Sequence, residues 1–324
     1  MIDILLATYN GAKYIDRQMK SLLTQDKEGL DTDIHLIIRD DGSTDGTMDI
    51  IKHRIKYYKE KRPDPMEVTI LEDSKASGSP AANFMRLLAM SKAEYVMFSD
   101  QDDMWYRRKT AATYRFMKKQ EEKYGKDTPI LVHTDLSLMN EEGKKTAASF
   151  YDYQKLPRED KLSTLLIQNT VTGCTMMLNR AAADLLKKAP DSEMVLMHDH
   201  YAAVLVAATG KVVFLDEALI RYRQHSENVV GAHAAGSAAE YKNRIEKGRS
   251  KFLKDMDLSY RQAGYILKRY EKEIRAAHGE KTVELLREYS NLIMAGKMEK
   301  IEFFQKHGIY KNGTIKKAVQ VLWC

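Results

Sequence analysis

The sequence predicts an α/β fold in which a mostly parallel sheet carries helices on both faces, followed by a helical C-terminal extension. Three observations support this. Short apolar runs alternate with segments of helical periodicity in the first part of the chain. Polar clusters directly follow three of these apolar runs. After residue 237 the pattern is helical and highly charged, with no further strand signal.

The first part of the chain alternates strands and helices, the order that produces parallel sheets. Ile15, Met19 and Leu22 recur at helical spacing, and Ser, Thr and Asp residues after the second strand cap another helix. The predicted strands are 2–8, 34–38, 68–71 and 95–98. One predicted helix starts near residue 15, and two others span 46–60 and 83–90.

The middle of the chain mixes further strands with helices. Strands are predicted at 130–134, 172–178 and 212–215, and the helix at 200–208 is apolar on nearly all sides and therefore buried. Gly231 and Gly236-Ser237 interrupt the periodicity, which places a boundary near 232–240. We therefore predict an α/β domain over 1–236 and a basic helical region over 237–324.

Composition describes an ordinary globular protein of 324 residues with a substantial core. The two cysteines, Cys174 and Cys324, provide neither a disulfide framework nor a cysteine-based zinc site, which fits a reducing cytoplasm. The N-terminus lacks the features of a signal peptide, and no apolar run is long enough for a membrane span. We expect a cytoplasmic protein.

The net charge of +6 is unevenly distributed. Residues 241–324 hold 19 Lys and Arg against 10 Asp and Glu, whereas the rest of the chain is slightly acidic. A basic tail can bind the anionic face of a membrane or nucleic acid, but it can equally be a solvated helical face. Dimerisation of these helices, or packing on the preceding domain, is a further alternative.

The acidic tract Ser-Asp-Gln-Asp-Asp-Met-Trp at 99–105 directly follows a predicted buried strand. Carboxylates this close together repel one another unless a cation lies among them, and oxygen ligands suit Mg²⁺ or Mn²⁺. A metal there can also hold a diphosphate, so the tract indicates an enzyme that uses a nucleotide-activated substrate.

Polar residues also follow two other strands, at Thr8-Tyr9-Asn10 and Asp40-Asp41. Ligands bind at the carboxyl ends of strands in such sheets. Asp40 and Asp41 could instead cap a helix, and one of them could accept the imide N–H of a pyrimidine base. Neither a Gly-x-Gly-x-x-Gly run nor a P-loop follows the first strand, so a nucleotide would be held by side chains and a metal.

Two later clusters are candidates for catalysis and binding. Asp199 precedes the buried helix and is either an N-cap or a general base, while a zinc site at His198 and His200 lacks further ligands nearby. His225 could be structural or a Mn²⁺ ligand, and Arg223 could pair with phosphate.

Four motifs in order resemble those of the inverting family-2 glycosyltransferases of the GT-A fold, over roughly residues 1–230. They are Ala-Thr-Tyr-Asn-Gly at 7–11, Asp-Asp-Gly-Ser-Thr-Asp at 40–45, Asp-Gln-Asp at 100–102 and His-Asp at 198–199. The runs at 98–105, 169–177, 197–199 and 222–229 look more narrowly like bacterial rhamnosyltransferases of streptococcal-type cell-wall rhamnose polysaccharide synthesis.

The resemblance implies a role for each matching residue. Asp199 is the catalytic base, and Asp102 ligates the metal, with His225 as an additional ligand. Asp41 accepts from the base, and Asp100 lies near the ribose. Gly173 leaves room for the backbone to approach the sugar or acceptor. The remaining residues expected at the donor are Thr8, Tyr9, Asn10, Gln101, Trp105, His198 and Arg223.

The implied activity is inverting transfer of L-rhamnose from dTDP-β-L-rhamnose to a glycan or lipid-linked glycan in cell-wall, capsular or O-antigen polysaccharide synthesis, with Mn²⁺ or Mg²⁺. The protein would contact the inner membrane face peripherally through its C-terminal helices, could form a homodimer and would bind no nucleic acid. Another nucleotide sugar, such as UDP-glucose, UDP-galactose or UDP-N-acetylglucosamine, is the main alternative. A nucleotidyltransferase or a non-catalytic glycan-binding protein are rival functions.

Overall fold

The computed structural model describes residues 1–72, 75–189, 195, 197–225 and 238–324, with the backbone alone described for 238–247. Its strands are β1 (Ile2–Thr8), β2 (Ile34–Asp40), β3 (Glu67–Ile70), β4 (Tyr95–Ser99), β5 (Met104–Trp105), β6 (Ile130–Met139), β7 (Lys145–Ala147), β8 (Met177–Asn179) and β9 (Lys211–Arg223). Its helices are α1 (Ile15–Leu23), α2 (Thr47–Lys61), α3 (Pro80–Met90), α4 (Lys109–Tyr124), α5 (Phe150–Gln154), α6 (Leu162–Leu165), α7 (Arg180–Leu186), α8 (His198–Thr209), α9 (Ala238–His278), α10 (Glu280–Asn291), α11 (Lys297–His307) and α12 (Thr314–Trp323).

The strands form a single mixed sheet in the order β3-β2-β1-β4-β8-β6-β9-β5, with β7 paired to β6. Strands β3, β2, β1 and β4 are parallel, as the sequence predicts. Beyond β4 the sheet is mixed, since β8 runs antiparallel to both β4 and β6, whereas β6 and β9 are parallel. The expectation of a mostly parallel sheet therefore holds for this first half.

Side chains of the buried strands alternate between two hydrophobic clusters, as the two-residue period of a strand requires. In β1, Leu5 packs in one cluster, while Ile4 and Leu6 pack in the other. Helices α1, α2 and α4 cover the second cluster, and α3 and α8 cover the first. Helices on both faces confirm the predicted architecture.

The middle of the chain departs from the sequence prediction at 172–178. A short 3₁₀ helix, Gly173–Thr175, replaces most of the predicted strand, and only Met177–Asn179 joins the sheet. The sequence pattern of such a short run cannot distinguish a buried strand from a buried turn, because both structures bury every side chain. The predicted buried helix at 200–208 is confirmed by α8.

Residues from 238 onward are helical, as predicted, and they share the core of the preceding part of the chain. Tyr260, Ile266 and Tyr289 are buried in the same cluster as α8, and the Tyr289 hydroxyl donates to the Leu166 carbonyl at 2.8 Å. Helix α9 is broken at Gly248, whose φ of 66° favours glycine, and again at Tyr270. These helices therefore pack on the preceding part of the chain.

The predicted boundary near 232–240 falls mostly outside the described residues, so the division into 1–236 and 237–324 stays a prediction. Among the helices that the structure describes, none is long and apolar enough to cross a bilayer.

Candidate functional site

The carboxyl ends of β1, β2 and β4 meet at one edge of the sheet. Thr8 is in register with Asp40, and Leu6 is in register with Ser99, so the loops after all three strands are neighbours. The Gln101 side chain joins two of these loops, because its amide accepts from the Tyr9 N–H and donates to the Tyr9 carbonyl, both at 2.9 Å. Tyr9 itself is exposed and available to a ligand.

The loop after β1 follows a fixed path across this edge. Asn10 has a φ of 47°, and its side-chain oxygen accepts from the Thr44 N–H at 2.9 Å. A Cβ at Gly11 would lie 2.3 Å from the Gln101 amide oxygen, so a larger residue would push the Gln101 side chain away from its hydrogen bonds with Tyr9. The loop therefore depends on contacts with both neighbouring strand ends.

Asp40 and Asp41 have different roles. The Asp40 carboxylate organises its own turn, because it accepts from the N–H groups of Gly42 and Ser43 and from the Thr8 hydroxyl at 2.7 Å. Thr8 is almost fully buried, so its hydroxyl supports this turn and offers little surface to a nucleotide.

Asp41 is held by an arginine and a loop. Buried Arg39 donates to its carboxylate at 2.8 Å, and the N–H groups of Ser77 and Gly78 donate as well. Burial raises the pKa of Asp41, but these hydrogen bonds outweigh it and leave the pKa below its usual value. The carboxylate is therefore ionised and able to accept from a ligand.

Asp102 and His225 meet as the sequence analysis expects. The His225 Nε2 lies 2.7 Å from an Asp102 carboxylate oxygen, and the imidazole stacks on Tyr14. Arg223 holds the Asp102 loop in place, since it donates to the backbone carbonyls of Asp102 and Glu141. Arg223 is 1% exposed, so it acts as a clamp between loops and not as an open phosphate ligand.

A second acidic cluster lies deeper. Ligating atoms of Asp100, Asp103 and Cys174 all lie within 4.8 Å of one another. Burial and the neighbouring carboxylates raise the pKa of Asp100 to about 7 and that of Asp103 well above its usual value. Burial also raises the pKa of the Cys174 thiol, so the thiol stays protonated.

The donor sets decide which cluster fits a hard divalent cation. A protonated, soft thiol is a poor ligand for Mg²⁺ or Mn²⁺, whereas a carboxylate beside an imidazole suits Mn²⁺. Asp102 and His225 therefore fit such an ion better than the deeper cluster. The Asp100 carboxylate lies close enough to Asp102 and Asp199 for their charges to raise its pKa.

Asp199 lies in the first turn of α8, where the helix dipole favours a negative charge. Its carboxylate accepts from the N–H groups of Gly173 at 3.1 Å and His200 at 2.6 Å, and the Asn169 side chain also bonds to it. Burial nevertheless raises the pKa of Asp199 to about 6, with these hydrogen bonds opposing the shift. A carboxylate with this pKa is basic near neutral pH and mostly ionised.

Gly173 makes the approach of α8 to the 3₁₀ helix possible. A Cβ there would lie 2.7 Å from His198 Nε2 and 3.6 Å from the Asp199 Cβ. The His198 ring packs on Phe84, is 4% exposed, and burial lowers its pKa to about 3. His198 is therefore a neutral packing residue behind Asp199, and the room at Gly173 is taken up by protein.

A buried polar network supports the segment that carries Asn169 and Gly173. His133 contacts Asp160 at 2.7 Å, and Asp160 accepts from the Thr170 hydroxyl at 2.8 Å. The Tyr151 hydroxyl donates to the Thr170 carbonyl at 2.8 Å. The position of Asp199 thus depends on residues well outside the four sequence motifs.

Trp105 is also a supporting residue. Its side chain is 4% exposed and packs in the core, with the Lys109 ammonium 3.8 Å from the ring centroid. Lys109 is fully buried, and burial lowers its pKa to about 7. Neither side chain offers a surface to a sugar.

The structure thus brings most of the predicted residues to one edge and distinguishes two kinds among them. The residues that are exposed or only partly buried there are Tyr9, Asn10, Asp41, Asp100, Gln101, Asp102, Asp199 and His225, while Thr8, Trp105, Gly173, His198 and Arg223 are buried supports. The sequence analysis assigned no role to Arg39, to Asn83, which accepts from Arg39 at 2.9 Å, or to Asn169. Two of them could have been found: an arginine inside an apolar strand must find buried partners, and Asn169 begins one of the runs that resemble rhamnosyltransferases.

Comparisons with known proteins identify the family of this chain. Residues 3–186, more than half of the chain, match the family model described as glycosyl transferase family 2. The dTDP-rhamnosyl transferase RfbG of Shigella flexneri is 26% identical over 259 residues, which cover 77% of this chain and 81% of that protein. The putative teichuronic acid biosynthesis glycosyltransferase TuaG of Bacillus subtilis is 29% identical over 181 residues, 56% of this chain and 62% of that protein.

Two solved structures share the fold. A crystal structure of S. aureus TarS 1-349 in complex with UDP has a TM-score of 0.54 at 18% identity, covering 98% of this chain and 77% of that one. The mannosyltransferase PcManGT from Pyrobaculum calidifontis, in complex with GDP-Man and Mn²⁺, has a TM-score of 0.52 at 17% identity, covering 99% and 87%.

Proposed function

The chain belongs to glycosyl transferase family 2 and has the GT-A fold, and from this premise we propose an inverting, metal-dependent transfer of a sugar from a nucleotide donor, with Asp199 as the base. The observation that carries the proposal is the position of Asp199. Its carboxylate lies at the N-terminus of α8, close enough to Asp100 for their charges to interact. A base beside the donor loops is what a direct displacement requires.

In the proposed reaction, the Asp199 carboxylate takes the proton from an acceptor hydroxyl as that oxygen attacks the anomeric carbon. The bond from the anomeric carbon to the diphosphate oxygen breaks, and the diphosphate leaves with the electron pair. Because the proposal assigns one carboxylate as the base and none as a nucleophile, the attack would come from the face opposite the leaving group and invert the configuration, by the geometric logic known for glycosidases. The Gly173 N–H and Asn169 orient the carboxylate.

The donor nucleotide would lie across the loops after β1, β2 and β4. Asp41 would accept from the base, with Arg39 keeping it ionised, and Tyr9 and Asn10 would flank the nucleoside. Asp100 would lie on the ribose side. Gln101 would contribute mainly by holding the Tyr9 backbone in place.

Asp102 and His225 would hold Mn²⁺ or Mg²⁺. When bound, the ion supplies Lewis-acid stabilisation of the charge that builds on the departing diphosphate. Arg223 keeps the two ligands together, since it fixes the Asp102 backbone from beneath.

For the donor sugar, we propose dTDP-β-L-rhamnose, supported by the likeness to the rhamnosyl transferase RfbG. The acceptor would be a glycan, in lipid-linked form, used for a bacterial cell-wall or other surface polysaccharide, which the likeness to TuaG also supports. The reaction would then take place at the inner face of the cell membrane, and the basic C-terminal helices would provide peripheral contact.

A panel of nucleotide sugars tests the donor. We expect released diphosphate in the presence of Mn²⁺ to be highest with dTDP-β-L-rhamnose, compared with UDP-glucose, UDP-galactose, UDP-N-acetylglucosamine and GDP-mannose. Preference for a UDP sugar would leave the proposed glycosyl transfer standing and would contradict only the identity of the donor. Release of pyrophosphate from nucleoside triphosphates, in place of diphosphate from sugars, would contradict the proposed reaction.

A further inference from the structure

The Tyr14 ring packs on the imidazole of His225, one of the two residues proposed to hold the metal. The two ring centroids lie 5.0 Å apart, and the ring planes are inclined by 30°. The His225 side chain is 8% exposed, and its Nε2 lies 2.7 Å from an Asp102 carboxylate oxygen. A histidine binds a metal through the lone pair of a ring nitrogen, which lies in the ring plane. A contact that fixes this plane therefore decides whether the nitrogen points at the ion.

Tyr14 is itself fixed at both ends. Its backbone N–H donates to the Gly11 carbonyl at 3.0 Å, in the turn that leads into α1. Its hydroxyl donates to a Glu141 carboxylate oxygen at 3.0 Å, and the exposed Lys13 ammonium pairs with the same oxygen. The phenol ring therefore has little freedom to turn, and it restrains the imidazole that stacks on it.

The turn that carries Glu141 is also held in place. It connects β6 to β7 and is closed by the Asn140 side chain, which accepts from the Lys144 N–H at 2.8 Å. Arg223, at the end of β9, donates to the Glu141 carbonyl at 2.6 Å. The Glu141 carboxylate is thus placed by a tight hairpin turn that is bound to the strand preceding His225.

Arg223 links Tyr14 to the second proposed ligand. Its guanidinium carbon lies 4.8 Å from the centroid of the Tyr14 ring, and its Nε donates to the Asp102 carbonyl at 2.8 Å. Tyr14 therefore contacts the His225 imidazole directly and also contacts the residue that holds the Asp102 backbone.

We propose that Tyr14 is a positioning residue for the divalent metal, because it holds the His225 imidazole in the plane that allows it to share the ion with Asp102. Tyr14 acts through His225 and is not itself a metal ligand, since its hydroxyl is engaged by Glu141. The inference deepens the proposed function and rests on a metal at Asp102 and His225.

Mn²⁺ binding to the full chain tests this role without any sugar transfer. The bound fraction is measured from the loss of the electron paramagnetic resonance signal of the free ion, in the presence of dTDP. Tyr14→Leu should raise the Kd for Mn²⁺ about tenfold or more, a loss typical of removing a residue that orients a metal ligand. Tyr14→Phe keeps the ring and should stay closer to the wild type. Tyr57→Leu, at an exposed tyrosine on α2, should bind Mn²⁺ as the wild type does.

Two further measurements separate positioning from general damage to the structure. The affinity for dTDP without metal should be the same in Tyr14→Leu and the wild type. In a chain that already carries His225→Ala, adding Tyr14→Leu should change the Kd for Mn²⁺ by less than about twofold, because the residue through which Tyr14 acts is gone.

Several outcomes would overturn the proposal. They are wild-type Mn²⁺ affinity in Tyr14→Leu, an equal loss in Tyr14→Phe, weaker metal-free dTDP binding in Tyr14→Leu, and an undiminished effect of Tyr14→Leu in the His225→Ala chain. If Asp102→Ala and His225→Ala both bind Mn²⁺ as the wild type does, the metal site of the proposed function is wrong and this inference fails with it. If those two variants lose Mn²⁺ and Tyr14→Leu does not, the metal site stands and only the role of Tyr14 is rejected.

Discussion

Two regions of the site shift the pKa of a carboxylate in opposite directions. We call the loops around Asp41 the donor side and the surroundings of Asp199 the base side, after their proposed roles. On the donor side, Asp41 accepts hydrogen bonds from the guanidinium of Arg39 and from two backbone N–H groups, and these bonds lower its pKa despite burial. On the base side, burial dominates and raises the pKa of Asp199 to about 6. These opposite pKa shifts suit the proposed roles, in which Asp41 accepts a hydrogen bond and Asp199 accepts a proton.

This difference follows from how each side is built. The donor side consists of loops that follow strands, and such loops have free backbone N–H groups for a carboxylate. The base side is formed where α8 packs closely against the Gly173–Thr175 turn, and this packing partly buries the Asp199 carboxylate. A donor site needs fixed charge, whereas a base needs a pKa near the working pH.

Asp199→Asn should have the largest effect on this comparison. An amide cannot take the acceptor proton, so we expect kcat to fall about 10²–10⁴-fold. Calorimetry should show unchanged dTDP binding, because Asp41 and the metal ligands are intact. Asp184→Asn, at a half-exposed carboxylate on α7 that pairs with Arg180, is the control. Turnover within tenfold of the wild type would remove Asp199 from the role of base.

Asp102→Ala should weaken metal-dependent nucleotide binding about 10–100-fold, a loss typical of damage to a metal site. The physical reason is that His225 alone leaves the site without a carboxylate. Titration of dTDP with and without Mn²⁺ measures the effect. If Mn²⁺ increases dTDP affinity equally in the variant and the wild type, Asp102 is not a ligand.

Gly173→Ala should lower kcat at least about tenfold, because small displacements of a reacting group are costly. The new methyl group would lie 2.7 Å from the His198 ring, which Phe84 packs against. Adding His198→Ala removes the clashing ring, so the double variant should recover activity relative to Gly173→Ala. No recovery would show that Gly173 acts by another route.

Asp41→Asn should have the smallest effect, on stability more than on rate. The pKa of Asp41 is lowered in the folded state, so its ionised form stabilises the fold above the unfolded carboxyl pKa of about 4. That contribution is lost as the pH falls through the folded pKa. Urea unfolding should show a deficit of about 1–2 kcal/mol at neutral pH that shrinks in acid. A deficit independent of pH would contradict the assignment.

The donor side could largely be predicted from the sequence, and the base side only in part. Strand periodicity located the ends of β1, β2 and β4, and parallel order brought Tyr9, Asp41 and Asp102 to one edge. The buried helix α8 was also predicted, and with it the position of Asp199.

Long-range packing accounts for what the sequence did not reveal. The pattern at 172–178 fitted a strand, because it does not show that Gly173 must lie against His198. Trp105 and Arg223 were expected to contact the ligand, but both are buried in the structure. Trp105 lies under the Lys109 ammonium, and Arg223 donates to the backbone of Glu141, which is distant in sequence. Neither contact can be recognised from the sequence pattern. The support of residues 169–173 by His133 and Asp160 is likewise a contact across the fold.

The pH dependence of kcat tests the central claim most directly. With saturating donor, acceptor and Mn²⁺, loss of the Asp199 proton should make kcat rise tenfold per pH unit and level off above a midpoint near its pKa of about 6. Asp199→Asn should abolish this transition and leave a flat residual rate. A wild-type profile that is flat between about pH 5 and about pH 8, or a midpoint near 6 that persists in Asp199→Asn, would contradict Asp199 as the base.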